Sequence, residues 1–461
     1  SAKRSSLPFP AQCKAAMNRP WRSHNAFAMD PKRFAWFIIT SSLLMLAVDV
    51  YVLAAWNRFV RRRAWRPAIR HASWALCIVM AVVSPTISFA RSNHARLDDL
   101  GYALFIASTV WYFPKIPIML VLLVNDLVRG VRALVRRVKR LMVRTKETSA
   151  AVTETVPDSG RRAALQATAW SLASVPFVMV ARGIDNTDNI TVMRETLEIP
   201  KLGAAFDGIR IVQISDLHAG SWRSSKPLEE TRRLIAAEKP DILVITGDFV
   251  NFHPEELKNI RADLERLRAP LGVYASLGNH DHYMNARDHA LLRSVVSNCG
   301  IRLLVNENQV FEEGSDRLQL ASIDNTGLGQ DFGDLPRALV GTRPNAPTIL
   351  LAHDPTFWDK EVLRRRDIEL TLSGHTHGGQ VGVNVFGTEF SVAQMVYKRW
   401  AGLYAVGDQQ LYVNRGLGTI GPPMRIGIPP EITSFTLKKR PPMYGAGNGA
   451  MDDVARASGN Y

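Results

Sequence analysis

Ile209-Arg-Ile-Val-Gln-Ile-Ser-Asp-Leu-His218 decides how the C-terminal half is read. It is a short apolar, β-branched run, the pattern of a buried strand, and it ends in Asp216 and His218. Two residues apart on extended backbone, a carboxylate and an imidazole point the same way and can grip one metal ion. Alone, Asp-x-His is also an ordinary strand end, because Asp forms turns. The event then recurs along the chain. Asp241-Ile-Leu-Val-Ile-Thr246 runs into Gly247-Asp248, and Gly272-Val-Tyr-Ala-Ser-Leu277 runs into Gly278-Asn279-His280-Asp281. Thr348-Ile-Leu-Leu-Ala352 runs into His353-Asp354-Pro355, and Ile368-Glu-Leu-Thr-Leu372 into Ser373-Gly374-His375-Thr376-His377.

Helical patterns near Pro227–Glu238 and Glu255–Arg268 alternate with these strands, so the class is α/β. Ligands of open α/β sheets gather beyond the carboxyl ends of the strands, where these side chains converge. Gly247, Gly278 and Gly374 each precede a candidate ligand, which suits tight exits that bring backbone close to a bound group. Asp, His and Asn without thiolate suit Mn, Fe or Zn. Asp216, His218, Asp248, Asn279, His353, His375 and His377 exceed the needs of one ion and fit two divalent ions sharing a carboxylate.

The N-terminal half has another texture. Residues 1–162 hold 26 Lys and Arg against 8 Asp and Glu, while the rest holds 31 against 34, so the net +15 is concentrated at one end. Basic halves serve nucleic acid or membranes. The long apolar runs lie in the same half and no aromatic-and-basic face accompanies them, so the expected partner is the lipid bilayer, not nucleic acid. The organisation read is a basic segment at 1–33, a helical membrane region at 34–182, an α/β domain at 190–440 and a disordered tail at 441–461. Four spans are expected near 34–56, 71–90, 100–124 and 163–181. Cys13, Cys77 and Cys299 have no metal-like spacing.

Arg58–Arg70 and Arg129–Lys146 fill the first and third connections, whereas the second carries Arg91 and Arg96 beside Asp98 and Asp99. The positive-inside rule puts the two basic connections in the cytoplasm and the C-terminal half outside it. Seven Lys and Arg before Phe34 run against that placement. Asp158-Ser-Gly-Arg161-Arg162, followed by Ala163–Ala181, resembles a twin-arginine export signal and equally reads as cytoplasmic charge beside a span. Either way the C-terminal half goes outside.

The motif series Asp216-x-His218, Gly247-Asp248, Gly278-Asn279-His280-Asp281, His353 and Gly374-His375-Thr-His377 resembles that of calcineurin-like metallophosphoesterases, over about residues 205–437. Ala352-His-Asp-Pro355, Gly374 to Gln380, Arg415-Gly-Leu-Gly418 and Pro429-Pro-Glu-Ile432 are similar to its membrane-anchored bacterial branch, and the several spans to its multi-span vertebrate members. The resemblance implies a four-layer αββα sandwich. It implies Asp216, His218 and His377 on one ion, Asn279, His353 and His375 on the other, and Asp248 bridging. His280 is then the non-ligand acid, with Asp281 holding its ring.

The function expected is a membrane-anchored phosphoesterase of the bacterial inner membrane, multi-pass, with an extracytoplasmic catalytic domain. It hydrolyses a phosphoester, a lipid-like or envelope substrate, by metal-activated hydroxide. Two alternatives stand beside it: a cytoplasm-facing pyrophosphatase of a nucleotide-linked lipid precursor, and a membrane sensor or transporter regulated by the domain. Around the metals, Arg415 is a candidate phosphate-binding fork or a structural ion pair. The stretch Phe386–Trp400 packs in the core, lines an apolar pocket or rests on the membrane.

Overall fold

The computed structural model describes residues 31–60, 66–92, 97–142 and 159–440. The basic segment before residue 31 and the tail at 441–461 lie outside them, as do residues 61–65, 93–96 and 143–158 of the connections. The chain divides into one unit of helices up to Leu104 and a second from Phe105 onward, with Arg58–Arg62 grouped with the second.

The first unit contains α1 (Pro31–Val60), α2 (Arg66–Ser92) and the start of α3 (Asp99–Tyr112). Within them Ile38–Arg58 and Pro67–Ala90 are 21 and 24 residues with mean hydropathy 2.1 and 1.8. At about 1.5 Å per residue each is long enough to cross about 30 Å of hydrocarbon. Their apolar side chains point outward: Trp36, Leu43, Leu44, Ile78 and Val79 are exposed, while Asp49 is buried. Hydroxyls are returned to the helix backbone, with Thr40 Oγ1 donating to the Trp36 carbonyl (2.7 Å) and Thr86 Oγ1 to that of Val82 (2.8 Å).

The expected span at 100–124 is not one helix. In the second unit, α3 stops at Tyr112 and α4 (Lys115–Met142) begins after a turn at Phe113 and Pro114. Proline lacks the N–H that would continue the ladder and disfavours helical backbone at the residue before it. Lys115 is buried at the break, its ammonium 3.4 Å from the centroid of the Trp111 ring. Beyond the apolar run, α4 continues as an exposed amphipathic stretch carrying Arg129, Arg132, Arg136 and Arg137. α5 (Ser159–Asp185) completes the helices, with Pro176 inside it.

The rest of the second unit is built on two six-stranded sheets. The first is ordered β1 (Thr191–Ile199), β14 (Glu431–Lys439), β2 (Arg210–Ile214), β3 (Ile242–Thr246), β4 (Val273–Ser276) and β5 (Arg302–Leu303). The second is ordered β12 (Gly402–Val406), β13 (Gln409–Val413), β9 (Leu370–Ser373), β8 (Thr348–Leu351), β7 (Asp316–Ser322) and β6 (Glu307–Glu313). Period-two alternation sorts the side chains into layers. Ile211, Val244, Ile349, Leu351, Leu370 and Leu372 meet between the sheets. Val212, Ile214, Leu243 and Ile245 turn the other way, onto α6 (Lys226–Glu238) and α7 (Ala286–Asn298). Leu350, Leu411 and Val413 pack outward beneath Trp358 and Val362. The expected four-layer αββα sandwich is therefore present. β2, β3, β4 and β5 are parallel, as are β7, β8, β9 and β13, so the ends of the central strands face one edge of the sandwich.

One expected helix is absent. Glu255–Arg268 forms a 3-10 turn (Pro254–Asn259) and a four-residue helix (Arg261–Leu264). Glu256 accounts for the break: its carboxylate accepts the backbone N–H of Asn251 (2.6 Å), Phe252 (3.0 Å) and His253 (3.2 Å), so it caps a loop instead of lying on a helix face.

Candidate metal centre

The chain leaves each central strand through a sharp turn. Asp216 (φ 50°), His218 (φ 41°), Asp248 (φ 54°), His375 (φ 72°) and His377 (φ 52°) all adopt left-handed backbone. Non-glycine residues rarely do so, and such strain persists where the surroundings over-determine it. Two glycines permit the convergence. A Cβ on Gly374 would collide with Ser215 Oγ and Asp216 Oδ2, and one on Gly247 would stand 2.8 Å from His353 Nδ1.

Among the described residues three overlapping groups result, each with its ligand atoms within 4.8 Å of one another: Asp216, His218 and His377; His218, Asp248 and His280; Asp248, His353 and His375. Asp248 belongs to two of them and lies between the other residues. Its Oδ2 is 3.1 Å from His353 Nε2 and 3.5 Å from His218 Nε2, and Asp216 Oδ1 is 3.3 Å from His377 Nε2.

The far side of each ring is held. His218 Nδ1–H donates to Asn251 Oδ1 (2.7 Å) and His353 Nδ1–H to the Thr246 carbonyl (2.6 Å), which turns both Nε2 atoms inward toward Asp248. His375 Nε2 pairs with the Tyr397 hydroxyl (3.0 Å), leaving Nδ1. Asn279 Nδ2 donates to Tyr283 Oη (3.0 Å). His218 Nε2 and Asn279 Oδ1 are buried without a hydrogen bond. Such orphaned acceptors are costly unless something binds them, and beside a buried carboxylate they fit a cation.

Electrostatics agree. Burial holds His218 down to about 3 and His375 to about 4, with His377 also well below the usual histidine range. All three are therefore neutral and able to donate a lone pair. Burial lowers His353 as well, but Asp248 and Asp216 outweigh it and carry His353 up to about 10. Without a metal, a proton on that ring supplies the positive charge the carboxylates demand. A divalent ion would displace it.

One expectation changes, and of the two readings of Arg415 the ion pair is the one observed. Asp281 does not hold the His280 ring; its carboxylate accepts the backbone N–H of Asp248 (2.9 Å), Phe249 (2.9 Å) and Gly278 (3.0 Å) and so shapes the turn that presents Asp248. His280 is steered instead by its Nδ1–H, donated to the Asn251 carbonyl (2.8 Å), and its ring centroid is 4.7 Å from that of His218. Arg415 is not a phosphate fork. Buried, it donates Nη1 to Glu431 (2.9 Å) and Nη2 to Glu389 (2.6 Å), so both prongs are engaged by carboxylates.

A family model described as Calcineurin-like phosphoesterase matches residues 209–379, and one described as Probable Calcineurin-like phosphoesterase, transmembrane domain, matches residues 32–186. The metallophosphoesterase YkuE of Bacillus subtilis is 34% identical over 257 residues, covering 54% of this chain and 86% of the relative. The chain is a calcineurin-like phosphoesterase. The family is one of metal-dependent phosphoester hydrolases, and this phosphoesterase adds a transmembrane domain to the catalytic one. It is also 35% identical over 266 residues to the bovine transmembrane protein with metallophosphoesterase domain, covering 53% of the chain and 57% of that relative. It is 30% identical over 303 residues to the UDP-2,3-diacylglucosamine pyrophosphatase LpxG of Chlamydia trachomatis, covering 53% and 88%.

Asn251, Tyr397 and Tyr283 are the residues that sequence reasoning did not place in the site. Their signal is weak: Asn251 is an ordinary loop residue, and Tyr397 lies in an apolar stretch.

Proposed function

We propose that this phosphoesterase holds two divalent ions, Mn, Fe or Zn, at one end of its sandwich and hydrolyses a phosphoester beside the membrane. Asp216, His218 and His377 hold one ion, Asn279, His353 and His375 the other, and Asp248 is shared. The observation that carries this reading is the shared carboxylate, flanked by buried acceptors that have no other partner. When bound, the ions supply positive charge against the phosphoryl oxygens and a water nucleophile activated near neutral pH.

The chain's own residues do the rest. His280, with Nδ1–H held by the Asn251 carbonyl, presents Nε2 to deliver a proton to the leaving oxygen. Asp281 keeps the Asp248 turn in place through three backbone hydrogen bonds. Asn251 serves both histidines at once, its side chain orienting His218 and its carbonyl His280.

The substrate in this reading is lipid-like or part of the envelope, because the anchor keeps the site at the bilayer. The catalytic domain lies outside the cytoplasm of a bacterial inner membrane, as the Arg-rich connections favour. The likeness to the Chlamydia pyrophosphatase supports a second reading, a pyrophosphatase of a nucleotide-linked lipid facing the cytoplasm. Fusions at the C-terminus separate them: active alkaline phosphatase supports the outside placement, and fluorescence of an unexported green fluorescent protein supports the inside one. The chemistry is tested with bis-p-nitrophenyl phosphate and p-nitrophenyl phosphate. Turnover that needs added manganese or zinc, stops with chelator and is lost in Asp248→Asn is the expected result. Chelator-insensitive turnover would refute it.

A further inference from the structure

Beside the two large sheets stands a separate antiparallel hairpin, β10 (Gly382–Val385) and β11 (Thr388–Ser391). Its register pairs Val383 with Phe390, Asn384 with Glu389 and Val385 with Thr388. Successive side chains alternate between faces, so Val383, Val385 and Phe390 share one face and Asn384 and Glu389 the other. In a water-soluble domain the apolar face packs inward. Here the order is reversed. Glu389 turns inward and accepts from the buried Arg415, while Val383, Val385 and Phe390 stay 44–49% exposed and Phe386, at the tip, is fully exposed.

The turn that follows adds Met395 and Val396, 86% and 75% exposed. Among the described residues from 190 to 440, twelve large apolar side chains are exposed, and seven of them fall between 383 and 396. A contiguous patch of this kind marks an interaction surface, unlike scattered single residues.

The wiring of the patch links it to the end of the matched transmembrane domain. The backbone N–H of Arg425 donates to the carbonyl of Gly183 (2.7 Å), near the end of α5, and the matched transmembrane domain closes at residue 186. The next residue, Ile426, accepts from the N–H of Gly382 (2.8 Å) and donates to the Gln380 carbonyl (2.8 Å). One short loop therefore ties the end of α5, the last helix of the matched transmembrane domain, to the base of the hairpin. Directly after the patch, Tyr397 pairs with His375.

We propose that this hairpin and turn insert into the same membrane leaflet that α5 leaves, and so seat the candidate metal centre at headgroup level. The partner is the lipid bilayer itself, met by an apolar tip whose burial in hydrocarbon is favourable. The inference rests on the transmembrane domain and not on phosphoester hydrolysis.

The full chain, reconstituted in phosphatidylglycerol and phosphatidylethanolamine vesicles with p-benzoylphenylalanine in place of Phe386, tests this by photocrosslinking and mass spectrometry. The same probe at Val340, exposed but outside the patch, is the control. The expected result is a phospholipid adduct at 386 and none at 340. A protein dimer adduct at 386 would assign the patch to a second copy and overturn the proposal, as would equal labelling at both positions or no lipid adduct at 386. Neither position contacts the metal centre and the readout needs no turnover, so an inactive protein that still crosslinks lipid separates this inference from the catalytic reading.

Discussion

In α1 and α2, leucine, isoleucine and valine look outward and a carboxylate, Asp49, is buried; in the αββα domain the same residue types fill three buried layers and the chemistry gathers at one edge. The two regions share an alphabet and differ in their solvent. A helix satisfies its own backbone polar groups and can turn an apolar surface to hydrocarbon. A twisted sheet in water must cover its apolar faces, and it does so here with a second sheet on one side and helices on the other. Hydrophobicity alone therefore does not say which way a side chain faces. The hairpin at 382–391 makes the point within one domain, since it is a β element whose apolar face is turned outward.

The largest effect should come from removing the shared carboxylate. Asp248→Ala should lower metal-dependent hydrolysis about a thousandfold or more while leaving reporter-mapped insertion of the helices unchanged. Equal damage to both would break the division between the regions. Next comes one substitution made in each of them. Leu372→Ala, in the layer between the sheets, should cost about 2–5 kcal/mol by denaturant unfolding, because it opens a cavity in close-packed surroundings. Leu44→Ala, on an outward helix face, should cost within about 0.5 kcal/mol of nothing in lipid, as judged by thermal melting in nanodiscs. If both cost the same, the helix faces are packed against protein.

A smaller effect is expected one step out from the ligands. Asn251→Ala and Tyr397→Phe should each weaken metal affinity or turnover by about 10–100-fold, because they free a ring that one hydrogen bond now orients. The substituted proteins should recover turnover as metal concentration rises, which a purely catalytic role would not allow. Smallest is the effect of chelation on folding. Removing metal should lower the stability of the αββα domain by about 3 kcal/mol relative to a hundredfold excess over the dissociation constant, and should not alter the helices.

Much of the αββα domain was legible because its signals are local. The five strands β2, β3, β4, β8 and β9 are short apolar runs, and their ends carry the unusual residues within a few positions. The partners that orient those residues were not legible. Asn251 lies 33 positions from His218, and Tyr397 lies 22 from His375, so only the folded chain brings them together. Asp281 misled by adjacency: next to His280 in sequence, it serves backbone atoms more than thirty residues earlier. Arg415 stayed open in the sequence, since a guanidinium suits a phosphate and a carboxylate pair alike, and only the fold brings Glu389 and Glu431 to it. The third apolar run was long enough to span, but Pro114 divides it, a steric effect that average hydropathy does not register.

The most direct measurement is the metal content of the purified full chain and of Asp248→Ala, by inductively coupled plasma mass spectrometry after saturation with manganese or zinc and removal of free ion. A centre built on one shared carboxylate predicts two ions per chain in the unaltered protein and one or fewer in the variant. One ion per chain at saturation in the unaltered protein, or two retained in Asp248→Ala, would contradict it.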